Sequence, residues 1–163
     1  MPQLILLRHA KAEAVAASGR DFDRGLTERG LRDAAIMGQV LRDAGLAPDR
    51  VLVSAARRTV QTWEVAGAAF QPGAAVEITR ELYLASDERL ARMVHVQGGE
   101  GRLMIIGHNP GLHELALRLS GDDPQGRLAG FPTAAAAVFD LEPHGGARLV
   151  QLLLARDHGG GAA

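Results

Sequence analysis

The sequence predicts an α/β sandwich in which helices cover a mostly parallel central sheet, and three observations carry that prediction. Short apolar runs of strand length alternate with longer segments of helical period along most of the chain. Two of the runs, Leu4-Ile5-Leu6-Leu7 and Leu103-Met104-Ile105-Ile106, are unbroken, as expected of central strands covered on both faces. The last two strand patterns, 135–141 and 147–154, flank Pro143-His144-Gly145-Gly146 and predict a hairpin, hence at least one antiparallel strand.

The elements follow in order. After strand 4–7, residues 10–26 are polar, mixed in sign and without period, and read as a long loop; loops of that length are uncommon unless they serve a function. A helix is predicted from Thr27 to Ala44, with Leu31, Ala34, Ala35, Gly38 and Leu41 on one inward stripe and Gly45 as its stop. Val51-Leu52-Val53 is a buried strand. The next helix runs from Arg57 to Phe70, with Val60, Trp63 and Ala66 facing inward, and Gln71-Pro72-Gly73 breaks it. Val76-Glu77-Ile78 reads as a strand, and Asp87 to Val96 as a helix burying Leu90, Met93 and Val94. Beyond strand 103–106, Asn109 suits an N-cap and Pro110 the first helical position. Leu112, Leu115, Ala116 and Leu119 then form the apolar stripe of a helix that Gly121 ends. With no repeat and no linker, residues 1–157 are expected to form a single domain, and the Gly-rich tail 158–163 to be disordered.

Composition narrows the chemistry. The chain has 163 residues, 18 Lys+Arg against 19 Asp+Glu, six His and no Cys. A net charge of −1 makes no electrostatic case for nucleic acid or an anionic membrane. No apolar run approaches membrane-span length, and no basic segment precedes the first apolar stretch as in a signal peptide, so a cytoplasmic protein is expected. The absence of Cys excludes disulfides, thiolate metal sites and thiol nucleophiles. Lys11 is the one lysine among the basic residues; a compositional bias explains this, and so would a need for bidentate contacts to phosphate or carboxylate at some arginines.

Polar clusters follow three strands: Arg8-His9 after 4–7, Ser54 with Arg57-Arg58 after 51–53, and Gly107-His108-Asn109 after 103–106. Ligands of parallel α/β sheets bind outside the carboxyl ends of strands, so the fold brings these clusters together. Separately, each reads as a surface turn or a solvated charge. Arg57 and Arg58, however, occupy the first turn of a helix, whose dipole disfavours cations there unless an anion is bound. Two histidines among arginine forks suit a phosphoryl group, one imidazole attacking phosphorus when neutral and the other, protonated, donating to its oxygens. Metal hydrolysis fits less well, since His108 and His113 lie five apart, off any shared helix face. Nucleotide-binding glycine loops and the Gly-x-Ser-x-Gly elbow are absent.

The same residues resemble the signatures of the histidine phosphatase superfamily, whose fold is that of phosphoglycerate mutase. Leu7-Arg8-His9-Ala10 resembles its Arg-His-Gly motif, with Ala10 in place of Gly. Ser54-Ala-Ala-Arg-Arg58-Thr-Val-Gln-Thr62 is similar to Ser-x-x-x-Arg-Ala-x-Gln-Thr, which assigns the family arginine to Arg58 and not Arg57. Gly107-His108-Asn109-Pro110-Gly111 resembles the motif of the second histidine. The short chain, Asp21 to Gly30, Glu81 to Ser86 and Phe131-Pro-Thr133 are similar to the SixA-type phosphohistidine phosphatases.

The resemblance implies a three-layer α/β/α domain with no cap insertions. It implies His9 as nucleophile, with Arg8, Arg58 and His108 holding the phosphoryl group, and no metal or other cofactor. Glu81 is the candidate general acid. The implied partner is a phosphorylated protein, such as a histidine phosphotransfer domain; the alternatives are an O-phosphomonoesterase acting on a small phosphate ester or phosphoserine, and a non-catalytic phosphate-binding module. Arg20, Asp21, Asp23 and Arg24 in the long loop either face a protein surface or are solvated charges.

Overall fold

A computed structural model describes residues 1–70, 72–121 and 123–161. Strands β1 (Gln3–Arg8), β2 (Arg50–Ser54), β3 (Ala75–Thr79) and β4 (Arg102–Gly107) run parallel. β5 (Ala136–Leu141) and β6 (Ala147–Leu153) form the antiparallel hairpin. The sheet order is β3-β2-β4-β1-β5-β6, with β5 antiparallel to β1.

The apolar runs occupy the centre because both faces of those strands are covered. Leu4, Leu6, Leu103 and Ile105 pack against Leu90 of α3 (Asp87–Gln97) and Leu112 and Leu115 of α4 (Gly111–Leu119). Ile5, Leu7, Val51, Val53, Met104 and Ile106 pack on the opposite face against Ala34, Met37 and Leu41 of α1 (Glu28–Asp43) and Trp63 of α2 (Arg57–Ala66). The result is the expected three-layer α/β/α sandwich. No helix of the described residues is long and apolar enough to cross a membrane.

Several local expectations are corrected. Helix α1 is rotated from the predicted stripe: Leu31 and Ala35 are exposed, whereas Gly30, Asp33, Ala34, Met37, Gly38 and Leu41 are buried. Backbone approach, not side-chain size, sets this face. A Cβ at Gly38 would stand 2.4 Å from the Ala66 carbonyl oxygen, and one at Gly30 would stand 2.1 Å from that of Lys11. In α2 the fully buried positions are Arg58, Thr59, Thr62 and Ala66, with Val60 and Trp63 half-buried, and the helix yields to a 3-10 turn at Gly67–Ala69. In α3 only Leu90 is fully buried; Met93 and Val94 are half-buried.

Asn109 does not cap α4. The helix begins at Gly111, Pro110 stands just outside it, and the Asn109 amide donates to the Phe131 carbonyl at 2.8 Å. The long loop 10–26 is irregular but tied down. Ala12 bridges Leu26, Glu13 N–H donates to Gly25 O at 2.8 Å, and Asp21–Asp23 forms a 3-10 turn. The tail expected to be disordered is also placed: Ala155–His158 is a 3-10 turn, Gly160 N–H donates to Ala155 O, and Gly161 N–H donates to the buried Asp33 carboxylate at 3.0 Å. Glycines permit that approach because a Cβ at Gly160 would fall 2.5 Å from Asp33 Oδ1. Residues 162 and 163 of the predicted tail lie outside the described residues.

Candidate active site

The carboxyl ends of β1, β2 and β4 open into one cleft of about 290 Å³ that Arg8, His9, Asp21, Arg58 and His108 line. The chain just beyond β1 is pinned from both sides. His9 N–H donates to Gly107 O at 3.2 Å, and Ala134 N–H donates to the carbonyls of Arg8 and His9 at 3.1 Å. Ala10 N–H donates to Thr62 Oγ1, whose own hydroxyl donates to Arg58 O. One threonine thus couples the turn after β1 to helix α2.

His9 is buried, and its Nδ1 lies 2.7 Å from Ala10 O. A carbonyl only accepts, so Nδ1 carries the hydrogen and Nε2 keeps a lone pair. Burial, followed by the positive field of Arg58, Arg8 and Arg24, lowers the His9 pKa to about 4 against the carbonyl contact that raises it. The His108 ring centroid is 5.4 Å from that of His9, and its Nε2 meets Ser54 Oγ at 2.7 Å. Burial and Arg58 hold the His108 pKa down to about 3. Both rings are therefore neutral near pH 7.

Arg58 is 2% exposed and Arg57 is exposed, as the motif spacing requires. Arg58 Nη1 donates to Asp21 O at 2.9 Å and Nη2 to Asp21 Oδ2 at 3.1 Å. Arg8 Nη1 donates to Phe131 O at 3.2 Å, and its pKa is lowered by burial and by Arg58. Arg8 Nε, Arg58 Nε and His108 Nδ1 are buried without a partner. Two guanidinium groups and two imidazoles thus converge at one end of the sheet, a set of side chains suited to an anion.

Glu81 is not part of this arrangement. It is exposed on the 3-10 turn Arg80–Leu82, where burial of Leu82 turns it outward, and it lines a separate groove with Glu77, Arg89 and Arg92. Two further residues belong to the site: Asp21, weighed from sequence only as a loop charge, and Tyr83, which the sequence reading did not single out. Tyr83 Oη and Arg58 both donate to Asp21 Oδ2, while Arg24 Nε donates to Oδ1 at 3.0 Å. The Tyr83 hydroxyl first, with Arg58 and Arg24, holds the Asp21 pKa to about 2 against burial, which raises it. Ser54 and Thr62 belong to the second motif, yet their hydrogen bonds to His108 and Ala10 become visible only in the fold.

The model of the histidine phosphatase superfamily (branch 1) matches residues 4–83, which contain the first two of these clusters. A crystal structure from Agrobacterium tumefaciens, provisionally described as the phosphohistidine phosphatase SixA, is 34% identical, with a TM-score of 0.84 over 94% of this chain and 97% of that one. The chain belongs to the histidine phosphatase superfamily. A second provisional SixA structure, from Nakamurella multipartitia, is 29% identical with a TM-score of 0.82, covering 94% of this chain and 95% of that one. The uncharacterized protein Rv1276c of Mycobacterium tuberculosis is 33% identical over 85% of this chain and 89% of its own length.

A depressed pKa at the superfamily histidine has a measurable consequence. kcat/KM reports ionisations of the free enzyme, so its acid limb is expected near pH 4 and not near 6.5. Stability carries the same signature. The unfolded chain binds these protons near pH 6.5 and the folded chain only near 4 and 3, so stability is complete above 6.5 and falls as pH drops through that window. Initial rates and urea midpoints measured between pH 3.5 and 8 check both; an acid limb at 6.5 contradicts a neutral, buried His9.

Proposed function

We propose that the protein is a phosphatase that removes phosphate from phosphohistidine on a protein, through a covalent phosphohistidine intermediate on His9. Nε2 of His9 attacks phosphorus, Arg8 and Arg58 take the phosphoryl oxygens in their forks, and His108 donates to a third. Water then cleaves the phospho-His9 bond. The positive charge comes from the arginines, so the reading calls for no metal.

The observation that carries the choice of substrate is the state of the carboxyl groups. Among the described residues lining the cleft, Asp21 bears the single carboxyl, and it is held ionised with a pKa of about 2. Such a group cannot protonate a departing alkoxide near pH 7, whereas imidazole leaves from phosphorus without a strong acid. The two provisional SixA structures point the same way.

The test is a side-by-side measurement of kcat/KM on a phosphohistidine protein, a phosphoserine peptide and small phosphate esters. The phosphohistidine protein is expected to be fastest, with Glu81→Gln within about twofold of the parent, as for surface changes away from a site. A collapse of activity in Glu81→Gln, with the esters preferred, establishes the O-phosphomonoesterase instead.

A further inference from the structure

We propose that Asp21 and Leu84 form the leaving-group subsite, which selects a protonated imidazole. The inference rests on the phosphohistidine reading above and adds the group that recognises the departing ring.

The cleft is graded by depth. Arg58, His108 and His9 form its floor at 2%, 3% and 6% exposure, whereas the Asp21 side chain is 47% exposed and Leu84 54% exposed. In-line attack by a nucleophile on the floor sends the leaving atom to the far side of phosphorus, toward the mouth. Asp21 and Leu84 are among the cleft residues exposed at that mouth, with Lys11.

Asp21 is arranged as an acceptor. An ionised carboxylate offers about four lone-pair positions. Arg58 and Tyr83 take two on Oδ2 and Arg24 takes one on Oδ1, which leaves a position on Oδ1 open. The 3-10 turn at Asp21–Asp23, the Arg58 bond to the Asp21 carbonyl and the edge-on packing of Phe22 against Tyr83 at 4.9 Å fix its place. Leu84 supplies an exposed apolar face in a mostly polar cleft. Its φ is +50°, a left-handed conformation that costs a leucine free energy and is retained mainly where surrounding structure imposes it. Here the turns Tyr83 N–H to Arg80 O and Ala85 N–H to Leu82 O impose it, with Leu82 and Ala85 buried on either side.

A phosphohistidine ring protonated on its distal nitrogen matches both features, a flat face for Leu84 and an N–H for Asp21. In the transfer step His9 Nε2 forms its bond to phosphorus and the substrate P–N bond breaks. The electron pair stays on the departing nitrogen and neutralises the ring, which leaves as imidazole with its distal proton in place. His9 itself is equipped in the same manner, its distal Nδ1–H resting on Ala10 O. The subsite supplies to the substrate ring what Ala10 supplies to the enzyme's. An alkoxide leaving group offers neither a cation nor a ring, and its growing negative charge is repelled by Asp21.

The experiment compares phosphoimidazole with p-nitrophenyl phosphate on the parent, Asp21→Asn, Leu84→Ala and Arg57→Ala, with a thermal melt for each. In Asp21→Asn the ratio of kcat/KM on phosphoimidazole to that on p-nitrophenyl phosphate is expected to fall about tenfold. Its phosphoimidazole rate should decline about one pH unit earlier on the alkaline side, as loss of a charge partner implies. Arg8, His9, Lys11, Arg24, Arg58 and His108 line the same cleft and Tyr83 touches Asp21, so Arg57→Ala, in a different groove, serves as the control and should hold the ratio within about twofold. Leu84→Ala should raise KM for phosphoimidazole a few-fold with kcat held. An equal loss on both substrates in Asp21→Asn, with the ratio intact, overturns the subsite. No preference of the parent enzyme for phosphoimidazole overturns the phosphohistidine reading itself.

Discussion

His9→Ala is expected to abolish turnover and, with it, the acid-labile phosphate that the enzyme retains when incubated with radiolabelled substrate. His9 Nδ1 is committed to Ala10 O, and the low pKa keeps Nε2 unprotonated near pH 7, so a lone pair faces the cleft without help from a base. His108 cannot take over readily, because its Nε2 is held by Ser54. Removal of a nucleophile in a unit of this kind costs on the order of 10⁴-fold or more. Ala10 N–H, the Thr62 hydroxyl and the Ala134 N–H bonds are backbone-centred and survive the substitution, so the fold should persist. Acid-labile label on purified His9→Ala would move the nucleophile elsewhere.

The second large effect separates two adjacent arginines. Arg58→Ala is expected to cost about 10²–10³-fold in kcat, the usual loss for one preorganised donor to developing charge, and Arg57→Ala less than about twofold. Arg58 is buried on the cleft floor, with Nε unpaired and both Nη atoms on Asp21. Arg57 lines a different groove with Phe22, Gln61 and Glu64. Arg58→Lys should recover only part of the loss, because an ammonium keeps the charge but not the fork. Thermal melts of each variant distinguish lost chemistry from lost structure. The reverse order of the two alanine variants shifts the second motif by one residue.

The parts of this protein that sequence could carry are those encoded in local pattern. Strand runs at 4–7 and 103–106, the hairpin and the α/β alternation follow from period and chain order, and the clusters after β1, β2 and β4 follow from where the runs stop. The resemblance of Ser54 to Thr62 to the family's second motif assigns its arginine to Arg58, and the helix, which turns adjacent residues about 100° apart, buries Arg58 and exposes Arg57.

Tertiary packing decided the rest. The face of α1 depends on how closely Gly38 and Gly30 approach other backbones, so the larger Leu31 lost to smaller residues. Asn109 had a partner in Phe131, 22 residues away, that outbid the local cap. Glu81 sits in a promising stretch of sequence, but burial of its neighbour Leu82 turns it out of the site. Asp21 came in through contacts 37 and 62 residues away, to Arg58 and Tyr83. By itself, then, the sequence determined the sheet, the strand ends and the histidine–arginine cluster, since these depend on residue type and spacing alone. Which carboxylate stands beside that cluster, and in what charge state, depends on burial and distance between remote segments, and only the folded chain could decide it.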